Sequence, residues 1–189
     1  MTRIKDIGTT TTTVAADDYV ALDGATNGSR KILASSAVSG PVFHVQEQQT
    51  AGTNGGGSTS GSWQTRVLNT SVLNEISGAS LSSNQITLPA GTYVISASQV
   101  LNRSGESRAR IRNVTDGTNV GLSLTIFIAT TTGLPTTIVA IPAYKFTLAS
   151  SKVLELQYYI ASSKTVDGLG YRSTFDTEIY ADVFIEKVG

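Results

Sequence analysis

The chain has 189 residues, with 14 basic and 14 acidic side chains, one histidine and no cysteine. That length suits one β-sandwich with a short extra segment, which buries about 70% of its unfolded surface without help from a disulfide or a metal. The missing cysteine excludes thiolate nucleophiles, redox pairs and cysteine-ligated zinc, and the zero net charge leaves no overall electrostatic footprint for nucleic acid or an anionic membrane.

The start, Met1-Thr2-Arg3-Ile4-Lys5-Asp6, has no apolar secretory core, and the longest apolar run, Ile138 to Ile141, is too short to span a bilayer. The expectation is cytoplasmic synthesis without secretory export or membrane insertion. The Asn-x-Ser/Thr matches at Asn27, Asn69, Asn102 and Asn113 then read as chance.

Residues 1–40 differ from the rest. The run Thr9 to Thr13, the segment Val14 to Asp23, the turn-rich Gly24 to Ser29 and Arg30 to Ala34 carry too few apolar groups for a core, and a short hairpin alone is marginal in water. Two readings stand: a flexible tail, or an attachment or shaft segment ordered only beside copies of itself or a partner.

A strand from Val42 to Gln49 sets Phe43, Val45 and Glu47 against His44, Gln46 and Gln48. Ala51 to Ser62 reads as a flexible loop by its glycine and serine content. Trp63 to Asn69 is a further strand. Trp63, the sole tryptophan, either plugs the core or a subunit contact or offers a sugar-stacking platform. Val72 to Ile76 and Gln85 to Leu88 follow, separated by a turn region at Ser77 to Ser80.

The clearest pattern runs from Leu88 to Asp116. After the turn Pro89-Ala90-Gly91, Tyr93, Ile95 and Ala97 point one way; after a polar break at Asn102 to Glu106, Ala109, Ile111 and Asn113 oppose Arg108, Arg110 and Arg112. The two runs read as an antiparallel hairpin, closed by a second turn at Asp116-Gly117. The arginine stripe is either a solvated face paired with neighbouring acids or a grip for an anionic sugar or phosphate.

Asn119 to Ala129 places Val120, Leu122, Leu124, Ile126 and Ile128 on one face, and Thr130 to Thr137 is a loop. Thr137 to Leu148 and Lys152 to Ala161 read as the next pair, with Leu154, Leu156, Tyr158 and Ile160 opposing Val153, Glu155, Gln157 and Tyr159. Ser162 to Thr174 is a long loop. In the last strand, Thr177 to Val188, Ile179, Ala181, Val183 and Ile185 oppose Glu178, Tyr180, Asp182, Phe184 and Glu186. Aromatics among acids do not make an ordinary solvated face, so Tyr180 and Phe184, with Tyr159, are the predicted subunit interface. The predicted fold is all-β, an antiparallel jelly-roll β-sandwich of about ten strands.

Catalytic chemistry has little to build on. His44 lies inside a strand with no nucleophile elbow nearby and reads as a surface or hydrogen-bonded structural residue, with three copies at a threefold axis as the alternative. Carboxylate pairs drawn from Glu106, Asp116, Asp167, Asp176 and Glu178 have no set geometry, and Gly55-Gly56-Gly57 lacks the lysine and helix of a phosphate loop. No catalytic residue, cofactor or metal ligand is assigned.

The segments FHVQEQQTAGTNGGGSTSGSWQTRVLN, EISGASLSSNQITLPAGTYVISAS, RARIRNVTDGT, FTLASSKVLELQYY and TEIYADVFIEKVG, in that order, resemble a carboxy-terminal domain of bacteriophage tail-fibre and virion proteins. In layout the domain is also similar to the tumour-necrosis-factor-like jelly roll and the complement-type globular head. Residues 17–35 resemble a short module near the start of phage fibre proteins. The resemblance implies a homotrimer whose aromatic strand faces meet at a threefold axis, and a non-enzymatic receptor-binding protein of the virion that adheres to a host-surface glycan or other receptor.

The expected organisation is residues 1–40 for attachment to other virion proteins and 41–189 for the head. The receptor-binding candidates are Trp63, Arg103, Arg108 and Tyr171. The alternatives are a structural head, neck or capsid decoration protein and a polysaccharide depolymerase.

Overall fold

Strict alternation of apolar side chains builds two sheets that share one core. A computed structural model describes residues 19–22, 30–33, 40–131, 133 and 135–188, and the chain divides into two units, Met1–Ser39 and Gly40–Gly189. In the first unit β1 (Tyr19–Leu22) pairs antiparallel with β2 (Arg30–Leu33), Tyr19 opposite Leu33. The readings at Thr9 to Thr13 and Gly24 to Ser29 lie outside the described residues.

The second unit continues with β3 (Val42–Gln49), β4 (Gln64–Thr65), β5 (Thr70–Asn74), β6 (Ser80–Ser82), β7 (Gln85–Leu88), β8 (Gly91–Asn102) and β9 (Gly105–Asn113). It is completed by β10 (Thr118–Leu122), β11 (Ile126–Ile128), β12 (Thr136–Leu148), β13 (Lys152–Ile160) and β14 (Glu178–Lys187). One sheet has the order β10-β9-β13-β7-β6, with β11 added on β9 and β4 on β13; the other has the order β12-β8-β14-β3-β5. We call them the arginine sheet and the phenylalanine sheet, after Arg108–Arg112 and Phe184 on their outer faces.

Between them lie Phe43, Val45, Tyr93, Ile95, Leu101, Ile111, Leu154, Leu156, Val183 and Ile185, all with no solvent exposure. Each such aliphatic side chain contributes roughly 1.5–3 kcal/mol of burial. The fold is an all-β antiparallel jelly-roll sandwich.

Two pairings read from the sequence are corrected. β8 and β9 are not a hairpin: β8 pairs with β12 and β14, while β9 pairs with β10, β11 and β13 in the opposite sheet. The chain crosses at Arg103 and Gly105, whose φ values of 49° and 69° turn it sharply. Likewise β12 and β13 lie in different sheets.

The physical reason is shared. Alternation declares which side of a strand is apolar, and both strands of each presumed pair satisfy that demand by facing one another across the core instead of lying side by side. Among the described strands of the second unit, only β6–β7 and β9–β10–β11 are consecutive within one sheet.

The run Asn119 to Ala129 is also broken. A register shift between Asn119 and Gly121 and the gap at 123–125 turn Leu124 outward, 79% exposed, while Ser123 is buried.

Candidate functional site

Four connections converge on one end of the sandwich. The register places Gln49 opposite Glu178, Asn102 opposite Thr136 and Ile160 opposite Ser107, so segments 50–63, 103–104 and 161–177 and the described residues between β11 and β12 emerge together. Gly40 lies at the other end, where its N–H donates to Glu186 Oε1 at 2.9 Å.

The glycine-rich segment 51–62 is not the loose loop its composition predicts. Gly55 N–H donates to Gly170 O at 3.0 Å, Leu169 N–H to Gly56 O at 3.1 Å, and Ser58 and Lys164 exchange backbone hydrogen bonds. Glycine serves close approach here: a Cβ at Gly55 would meet Leu169 O at 2.5 Å.

Below this end sits a buried ion pair that the sequence reading missed. Arg66 Nε donates to Glu47 Oε2 at 2.6 Å, and neither side chain touches solvent. Arg66 also donates to the carbonyls of Val100, Leu169 and Tyr180, tying β8, the 161–177 segment and β14 together. Burial pushes the Glu47 carboxyl up and pulls the Arg66 guanidinium down, each countered by its partner's charge. The available signal was Glu47 on the same strand face as Phe43 and Val45, since a carboxylate on a core face requires a buried partner.

Glu178 is buried at the same end and accepts backbone N–H groups of Thr174, Gly52 and Ser173. These hydrogen bonds, Thr174 foremost, hold its pKa down to about 2 against the opposing effect of burial.

The three predicted interface aromatics separate. A register shift between Ile179 and Ala181 reverses the alternation at Tyr180. Tyr180 is therefore 4% exposed, its ring under Gly170 and its hydroxyl donating to Thr53 O at 2.8 Å, and its expected place beside Phe184 on the outer face is corrected. Burial, with Glu178 nearby, pushes its pKa up to about 12.

Phe184 is 41% exposed on the phenylalanine sheet, between His44 and Ser96. His44 Nε2 and Gln46 Nε2 both lie within hydrogen-bonding distance of Asp182 Oδ2 beside it. Tyr159 stands on the outer face of the arginine sheet, so it does not share a surface with Phe184.

The receptor-binding candidates fall into two groups. Arg103 pairs with Asp167 and Tyr171 is exposed, both at the loop end. Trp63 and Arg108 both lie beside Tyr159 on the arginine sheet: Tyr159 lies opposite Arg108, the Trp63 ring packs edge-on against Tyr159 at 5.7 Å, and Arg110 lies 4.0 Å over the Trp63 ring. The sequence paired Trp63 with neither Tyr159 nor Arg110, because segment 50–63 had to fold back before they met.

The stripe Arg108, Arg110 and Arg112 forms no direct ion pair among the described residues, although Glu155, opposite Arg112 in the register, acts on Arg110 through its charge. The four ion pairs among the described residues lie elsewhere, and the nearby Glu155 carboxylate is taken by Gln85, Thr65 and Gln157. Among the described residues no group of three His, Cys, Asp or Glu side chains is placed to hold a metal.

No protein-family model matches the chain, and no curated protein does. Among solved structures the chain is similar to murine APRIL at pH 5.0, with TM-score 0.50 and 10% identity over 78% of this chain and 98% of that one. Structures of murine APRIL at pH 8.0 and pH 8.5 match at 0.48 and 0.47, with 12% and 10% identity, over 77% of this chain and 98% of theirs. At such identity the likeness is one of fold alone, and it agrees with the two-sheet jelly roll described above.

Proposed function

We propose that this protein is a non-enzymatic, homotrimeric adhesion protein of a phage particle, with the jelly roll as its receptor-binding head. The observation that carries the reading is the gathering of four connections at one end of the sandwich while Gly40 enters at the other. Such polarity suits a head that presents one end outward from whatever holds its amino-terminal side. The resemblance of residues 42–189 to phage fibre carboxy-terminal domains supports the virion assignment.

Trimerisation draws support from the outer face of the phenylalanine sheet. Leu73, Ile138, Ile179 and Phe184 are each between 41% and 66% exposed there. Smaller Ser96, Ser98 and Ala140 lie on the same outer face, leaving it low enough for a close neighbour. Three heads on one particle convert weak single contacts into firm attachment through effective concentration.

Sedimentation of the full chain at micromolar concentration, with labelled protein applied to host cells, tests this. A threefold mass and saturable adhesion are expected; a monomer that does not adhere overturns the reading.

A further inference from the structure

The outer face of the arginine sheet carries a second surface, which borders the loop end at Trp63. Arg108, Arg110 and Arg112 occupy alternate positions of β9, half-buried and aligned, and a strand places such side chains about 7 Å apart. Among the described residues no carboxylate forms an ion pair with any of them, and Arg108 Nε is buried without an acceptor. Glu155, opposite Arg112 in the register, gives its oxygens to Gln85, Thr65 and Gln157 while its charge acts on Arg110; Glu106, at the head of the strand, is exposed.

Arg110 is committed within the protein. Its Nε donates to Gln157 Oε1 at 2.8 Å while its guanidinium covers one face of Trp63. That contact positions the indole, which in turn meets Tyr159, 38% exposed. Arg108 and Arg112 have only weak or exposed polar contacts, with Ser123 O at 3.4 Å and Asn119 Oδ1 at 3.1 Å.

Two guanidinia without an ion-pair partner among the described residues, Arg108 and Arg112, on a strand face bordered by aromatic rings, fit an extended ligand with repeated negative charge and flat apolar surfaces. Guanidinium forks take carboxylates in pairs of hydrogen bonds, and sugar rings present C–H faces to aromatic side chains. Nucleic acid shares those needs, but a chain of zero net charge lacks the basic excess such partners usually require.

We propose that this face binds a carboxylated polysaccharide, with Arg108 and Arg112 holding carboxylates and Trp63 and Tyr159 stacking on sugar rings. The proposal rests on the adhesin reading and names the ligand class and the surface that would serve it.

Because Trp63 is the sole tryptophan, its fluorescence reports on this surface directly. The full chain is titrated with polygalacturonate, alginate and hyaluronate, with neutral dextran and oligothymidylate as controls, at low and high salt. At least one carboxylated polymer is expected to shift Trp63 emission, more weakly as salt rises, while dextran is silent. The double substitution R108Q/R112Q is expected to weaken that binding about tenfold or more, with R108K/R112K in between.

No response to any carboxylated polymer, unchanged affinity in R108Q/R112Q, or preference for oligothymidylate each overturns the proposal. If wild type and R108Q/R112Q adhere equally well to host cells, this face is the wrong one and the adhesin reading stands. If wild type does not adhere, it is the adhesin reading that falls.

Discussion

The ring of Tyr180 lies beneath the backbone of Gly170, so close that a Cβ added there would stand 2.1 Å from the ring's Cδ1. Gly55 also packs on the ring, where a Cβ would meet Tyr180 Cγ at 2.9 Å, and the two glycines are joined by a backbone hydrogen bond. The glycine-rich segment is therefore a lid over an aromatic ring. G170A is expected to destabilise the head by about 1–3 kcal/mol or more, since it adds overpacking to a φ of 140°. Y180F removes only the hydroxyl bond to Thr53 O and is expected to cost about 0.5–1.5 kcal/mol. Urea denaturation of both variants measures the difference.

The Arg66–Glu47 pair permits a sharper test. E47Q leaves a guanidinium buried beside a neutral amide, and R66M strands a carboxylate together with three backbone carbonyls. Each is expected to cost about 3–5 kcal/mol. The double variant E47Q/R66M is expected to lose less than the sum, because neither change then leaves an opposite charge behind. Additive losses in a denaturant double-mutant cycle would show that the two side chains act independently.

Glu178 predicts an acid limit. Its pKa is held down to about 2 in the folded head from an ordinary 4.5, so the folded state favours the charged form. The stability this contributes is fully present above pH 4.5 and is lost as pH falls toward 2. E178Q is expected to lower the melting temperature at pH 7 and to flatten its decline across that window. An acid profile parallel to wild type would rule out this carboxylate as a source of the decline.

Phe184 distinguishes the two outer faces. F184D places a charge on the face assigned to subunit contact and is expected to convert the threefold species to monomer in sedimentation, with little change in the fold. Y159A, on the opposite sheet, is expected to leave the assembly intact. Dissociation by Y159A with an unaffected F184D would move the contact to the arginine sheet.

How far the site was legible depended on the kind of information each residue carried. The inward faces of β3 and β13 followed from alternation, since Phe43, Val45, Leu154, Leu156, Tyr158 and Ile160 all lie in the core. Trp63 and Arg108 were picked out by residue type alone; their meeting with Tyr159 and Arg110 required a register and a returning loop. Tyr180 was misplaced because a bulge inserts one extra residue, and nothing in the local pattern of Ile179-Tyr180-Ala181 marks it.

The amino-acid order by itself determined that this chain is a sandwich of strands, because a period of two leaves one side of each segment apolar and demands a facing layer. Which strands lie side by side was decided only in three dimensions. Apolar faces are interchangeable partners, and the choice among them rests on backbone hydrogen bonds, on the crossing at Arg103 and Gly105, and on the buried Arg66 that joins segments far apart in the chain.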